Sequence, residues 1–183
     1  MNTLTRFTGA ALVASCVALS AQADDSFSSQ VDAKGNIGLP DDFRATMSHL
    51  GSWFVPAGDA SGFHDVYLDS DAVTVFRKTG KFPDGAVMVK ELRHPEVGNY
   101  TTGAGVSHAG DIKQTFVMVK DSTNRFAGKN PAWGDGWGWA LFKPDSGGKS
   151  VVTDYKIDCL GCHLPAKSKD YIYTEAYPTL SAK

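Results

Sequence analysis

Cys159-Leu160-Gly161-Cys162-His163 sets two thiols and an imidazole within five residues near the C-terminus. A C-x-x-C pair can hold zinc, cycle as a dithiol or, when histidine follows at once, carry a haem. Zinc takes four ligands; here only His163 adjoins the pair, and no second cysteine pair exists. A thioredoxin-like dithiol opens a helix after a strand in a βαβ unit, near the start of its domain, which is not this layout. The haem reading suits the spacing, because the thiols add to the two vinyl groups and the adjoining imidazole reaches the iron from the proximal side. The segment thus predicts a covalently attached haem c (iron) on Cys159 and Cys162, with His163 as the metal ligand. A redox or metal-binding dithiol is the alternative.

The motif comes late. Small electron-transfer cytochromes carry it near the mature N-terminus and supply a distal methionine further on, whereas no methionine follows Cys162. A sixth ligand would have to come from Met47, Met88, Met118, His49, His64, His94 or His108. The alternative is a five-coordinate iron with an open distal side, suited to small-ligand chemistry or gas binding rather than electron carriage alone.

The first residues read as an export leader. Arg6 lies in a short n-region, Ala10–Ala21 is apolar and uncharged, and Ala21-Gln22-Ala23 offers a small-residue cleavage site. A signal peptide over 1–23 predicts a periplasmic protein, the compartment in which c-type attachment occurs. A lipoprotein box ending at Cys16 is the rival, opposed by the apolar residues 17–21. The apolar run is too short to span a bilayer. At 183 residues and a formal net charge of −2, the chain suits one domain, 24–183, with no basic patch for nucleic acid and no second apolar run for a membrane span.

The elements that must position the motif read as a β-dominant α+β fold: an antiparallel sheet, short flanking helices and a C-terminal haem-attachment helix. Residues 26–37 read as a loose arm. Leu39–Gly51 reads as a short helix closed by Gly51, and Ser70–Gly80 as a second helix with Ser70 as N-cap and Gly80 as its stop. Strands are expected in Ser52–Pro56, His64–Asp69, Ala86–Arg93, Gln114–Asp121 and Gly136–Lys143. Gly98–Asp111 reads as a Gly- and Thr-rich loop, and Tyr171–Leu180 as a strand or extended tail.

Alternation along Ala86–Leu92 puts Met88 and Lys90 on one face and Val87, Val89 and Glu91 on the other. A lysine among apolar neighbours ordinarily snorkels its head to solvent. Trp137 and Trp139 share a side of their strand, with Gly136 and Gly138 opposite, as either a wall against a ligand, a dimer seam or plain core packing. Phe54 and Phe76 are further candidates for a distal pocket.

"VYLDSDAVTVFRKTGKFPDGAVMVKEL", "VKDSTNRFAG", the late C-x-x-C-H and a closing "YPTL" together resemble the cytochrome P-460 family and its relatives the cytochromes c′-beta, over roughly Leu39 to Leu180. The resemblance implies a β-rich homodimer. It also implies a bond from the lysine of the "VKEL" strand, here Lys90, to a haem meso carbon. The implied chemistry is oxidation of hydroxylamine or handling of nitric oxide, with electrons passing to a soluble partner. One departure stands out. Phe116 occupies the place where the family's enzymes are expected to carry a proton-handling carboxylate, and a phenyl ring accepts no proton. Phe116 would instead cap the distal pocket, as in the cytochromes c′-beta, with Asp111, Asp135 and Glu91 as substitute carboxylates. The readings in play are a hydroxylamine-oxidising haem enzyme, a non-enzymatic nitric oxide binding protein and a plain electron-transfer cytochrome.

Overall fold

The computed structural model describes residues 27–181. The leader expected over 1–23, with Cys16, lies outside them. A six-stranded sheet in the order β1-β2-β3-β4-β6-β5 dominates, and every neighbouring pair is antiparallel. Its strands are β1 (Ser48–Val55), β2 (Gly62–Leu68), β3 (Val87–Tyr100), β4 (Gly103–Lys120), β5 (Trp133–Gly134) and β6 (Trp137–Phe142). The helices are short: α1 (Phe43–Thr46), α2 (Ser70–Thr79), α3 (Tyr155–Asp158) and α4 (Leu160–His163), followed by 3-10 turns at Leu164–Lys169, Thr174–Ala176 and Pro178–Leu180. Among the described residues no helix is long and apolar enough to cross a membrane.

Both faces of the sheet are buried, which is why β3 reads as nearly continuous apolar sequence around Lys90. Met88, with Val66, Leu68, Met118, Trp137 and Trp139, packs under α2 and the C-terminal segment. Val87 and Val89, with Val117, Val119, Ala140 and Phe142, pack against Ile37, Phe43 and Trp133. Glu91 falls on this second face, 1% exposed, where Arg44 and Arg93 neutralise it.

Several expectations are corrected. Gly98–Asp111 is not a loop: β3 and β4 continue as a two-stranded arm through Val97↔Ser107 and Gly98↔Val106, closing at Tyr100↔Gly103. Cross-strand pairs such as Tyr100 to His108 (2.9 Å) hold strands whose Gly and Thr content mimics a loop. The helix expected over Leu39–Gly51 shrinks to α1, because Ser48 onward pairs with β2. Gly51 is required for close approach, not as a helix stop: a Cβ there would collide with the Ala176 carbonyl.

Asp69, not Ser70, takes the capping position of α2, its carboxylate turned to the Val87 amide (2.7 Å), while Gly80 ends the helix at φ 69° as expected. The N-terminal arm is ordered rather than loose: a Val31↔Ile37 bridge folds it on itself, and a Trp133 indole bond to the Gly35 carbonyl (2.7 Å) docks it. The C-terminal tail curls in 3-10 turns instead of extending, since Tyr177 and Leu180 turn into the core.

Candidate functional site

The C-x-x-C-H segment is shaped by its own carboxylates. Asp154 caps α3 by accepting the Lys156 amide (2.9 Å), and Asp158 accepts the Thr153 amide (2.7 Å), pinning the loop ahead of the motif. Cys159, at φ −130° and ψ −44°, breaks the chain direction between α3 and α4, so Cys162 and His163 come round on the next turn. Cys162 is exposed and Cys159 half-buried, both as free thiols.

Cys162 and His163 open onto a cavity of about 430 Å³ between the sheet face and the C-terminal segment, lined mostly by apolar side chains. Its floor is the face that alternation assigns to Met88 and Lys90. The ladder sets Val66, Lys90 and Phe116 side by side across β2, β3 and β4, with Leu68, Met88 and Met118 in the next row. Val66, Met88, Lys90, Phe116 and Met118 all reach the cavity.

His163 is held from below. Its Nδ1–H donates to the Tyr171 carbonyl (2.8 Å), and Trp139 stands edge-on with ring centroids 4.9 Å apart. Burial drives its pKa down to about 4, so the imidazole is neutral at pH 7, and the bond from Nδ1 leaves Nε2 as the free lone pair. The Tyr171 carbonyl is aimed by two consecutive left-handed residues, Asp170 (φ 57°) and Tyr171 (φ 65°). A latch fixes Asp170. Its carboxylate meets Lys120 Nζ at 2.8 Å, and its carbonyl accepts the Trp137 indole N–H at 3.0 Å.

Lys90 does not snorkel to bulk solvent. Protein encloses it on nearly every side, and the surface it keeps opens into the cavity. Its Nζ sits 4.2 Å from the centre of the Phe116 ring. Burial pulls its pKa down to about 8, against a smaller opposing pull from the Cys162 and Cys159 sulfurs. A fraction of the amine is therefore neutral, and nucleophilic, near pH 7.

Two expected pocket residues lie elsewhere. Phe54 is 50% exposed and packs on Phe63, because its neighbours Trp53 and Val55 take the cavity side of β1. Phe76, on α2, packs tilted against Phe82 (4.5 Å). Nor does any candidate carboxylate line the cavity. Glu91 faces the other core, Asp111 is exposed on β4, and Asp135 is exposed and bonded to the Tyr155 hydroxyl (3.1 Å). Of the sixth-ligand candidates, Met88, Met118 and His64 reach the cavity; Met47, His49, His94 and His108 do not. Trp137 and Trp139 serve as packing beneath the motif rather than as cavity wall.

The sequence model of the family described as Cytochrome P460 matches residues 40–174. The chain belongs to the cytochrome P460 family. No curated protein matches it. As a family member it is a haem cytochrome, and the donor set suits that cofactor. Among the described residues, no group of three or more His, Cys, Asp and Glu side chains gathers to hold a bare metal ion. Burial, reinforced by Asp158, pushes the Cys159 thiol up to about 12, whereas a redox dithiol needs a stabilised thiolate. A neutral imidazole with a free Nε2 and the Cys162 thiol at an apolar cavity, with Cys159 three residues before Cys162, match what a cytochrome P460 haem needs.

Proposed function

We propose that this cytochrome P460 is an exported mono-haem c-type protein that oxidises hydroxylamine in the Lys90–Phe116 cavity. Cys159 and Cys162 would hold the haem through thioether links to its vinyl groups, with His163 Nε2 as the ligand to its iron. Lys90 would add a third tether, its amine nitrogen replacing a hydrogen on a haem meso carbon, with the two protons lost to solvent and the two electrons passed to the same soluble redox partner. The observation that carries the reading is the shared cavity: Lys90, far in sequence from Cys162-His163, opens with them onto one apolar space.

When bound, the haem supplies a ligand site and accepts electrons, which pass on to a soluble redox partner. The chain's own residues do the rest. The Tyr171 carbonyl holds the His163 tautomer; Val66, Met88 and Met118 exclude bulk water; Phe116 narrows the space above Lys90 to small ligands. The domain is a single unit over 24–183, working as a homodimer in the periplasm.

A second reading, a nitric oxide binding protein without turnover, is favoured by Phe116 and by the lack of a carboxylate in the cavity lining. Anaerobic mixing of the haem-loaded protein with hydroxylamine and a one-electron acceptor separates the two. Acceptor reduction in proportion to hydroxylamine consumed is the expected result. A stable nitric oxide complex with no acceptor reduction by hydroxylamine would favour the binder.

A further inference from the structure

Oxidising a nitrogen hydride releases a proton for each electron removed, so the cavity needs a proton acceptor. Phe116 cannot serve, and Glu91, Asp111 and Asp135 point elsewhere. Under the proposed function Lys90, Cys162 and His163 are already committed to the haem. Tyr177, pushed up to about 12 by burial, is a donor rather than a base. We propose that His64 is the cavity's proton acceptor, taking a proton at Nδ1 from a bound nitrogenous ligand. The inference rests on the proposed function and adds to it the residue that replaces the expected carboxylate.

Geometry supports the assignment. His64 lies on β2 opposite Leu92 of β3 and Trp53 of β1, one cavity-facing position from Val66, the partner of Lys90. It is thus a diagonal neighbour of Lys90 on the same face, at a typical backbone separation of about 7–8 Å. His64 is 8% exposed and lines the cavity. Its Nε2 lies 2.7 Å from the Ala60 carbonyl, and since a carbonyl only accepts, Nε2 carries the hydrogen and Nδ1 the lone pair.

Nδ1 has no hydrogen-bond partner among the described residues. Among the described residues no sealed side-chain nitrogen or oxygen lacks one, so Nδ1 remains open. Ala60 is exposed, so the ring stands beside a surface loop, where solvent water can take the accepted proton from the imidazolium.

The surroundings keep the ring neutral and ready. Burial lowers the pKa most; Lys113 on β4 lowers it further, as does Lys90 on β3 in the haem-free chain where it is a free ammonium, while the bond to Ala60 and the Asp65 carboxylate on β2 oppose them. The ring therefore protonates below the ordinary histidine value of about 6.5.

The test uses the haem-loaded protein and its His64→Gln and His64→Phe variants. The first readout needs no turnover: the C–O stretching band of the ferrous carbon monoxide adduct, followed by infrared between about pH 5 and 8. The expected result is a band that shifts as pH falls through the His64 pKa in the parent and stays fixed in both variants. Hydroxylamine oxidation should fall about a hundredfold in both variants, with nitric oxide affinity held. A parent band independent of pH, a shift that persists in both variants, or a full rate in His64→Gln would overturn the assignment. Failure to take up haem or carbon monoxide would instead overturn the cavity reading, and the role of His64 with it.

Discussion

Replacing Lys120 by methionine tests how the His163 imidazole is held. The substitution keeps a long apolar side chain over the Trp137 ring, where the ammonium now sits 4.7 Å from the centroid, and removes only the charge. Lys120 is 12% exposed and Asp170 38%, so the 2.8 Å pair is partly buried. Breaking a fully buried pair costs about 3–5 kcal/mol, and an exposed pair is worth below about 1. Half-exposure of Asp170 places Lys120→Met between these, at about 1–2 kcal/mol. For a domain of this size that lowers Tm by roughly 2–8 °C.

The consequence at the site is more specific. Asp170 holds its left-handed backbone partly through Lys120, and that backbone aims the Tyr171 carbonyl at His163 Nδ1. A looser carbonyl makes the imidazole a weaker donor to iron, because the outer hydrogen bond raises ligand basicity. The assay is resonance Raman of the ferrous haem-loaded protein, with differential scanning calorimetry on the same preparation. The iron–histidine stretching band should move to lower frequency in Lys120→Met and return toward the parent in Lys120→Arg. A lower Tm with an unmoved band would refute the link between the latch and His163, leaving the pair as scaffold only.

Two other perturbations address the faces of β3. Glu91→Gln leaves Arg44 and Arg93 without their shared carboxylate and should lower stability by about 2–4 kcal/mol in chemical denaturation, with the haem spectrum unchanged because Glu91 faces away from the cavity. Lys90 gives a pH signature in the haem-free protein. Its folded pKa, about 8, lies below the ordinary 10.5, so the unfolded chain binds more protons between those values and stability should rise with pH across that window. Below about pH 8 the cost of the buried charge is fully present. Lys90→Met should therefore be more stable than the parent at pH 7 and lose the rise, and a parent denaturation midpoint flat from pH 8 to 10 would contradict the burial of Lys90.

Sequence reveals local features of this site and conceals those made by pairing. The Cys159–His163 spacing and the alternation around Lys90 are written in consecutive residues, and so are the Gly80 stop of α2 and the strand cores. The β3–β4 arm was hidden because Gly and Thr at 98–111 carry loop composition, while the cross-strand pairs that order them join residues on opposite strands. Likewise the position of Gly51 depends on Ala176, more than a hundred residues away. His64 was visible as one histidine among several. Its distinction, a free Nδ1 beside Lys90, follows from the register of β2 on β3 and from the Ala60 bond. The latch needs left-handed backbone at Asp170 and Tyr171, which no Gly or Asn marks in advance.

The most direct test of the site is the mass of the haem-loaded chain under denaturing conditions, taken with the absorption spectrum of the same sample reduced by dithionite. The expected result is haem retained on the unfolded chain, with a strongly red-shifted Soret band that reverts to an ordinary c-type position in Lys90→Met. Haem lost on unfolding would contradict attachment through Cys159 and Cys162. An ordinary c-type spectrum in the parent would contradict the bond from Lys90.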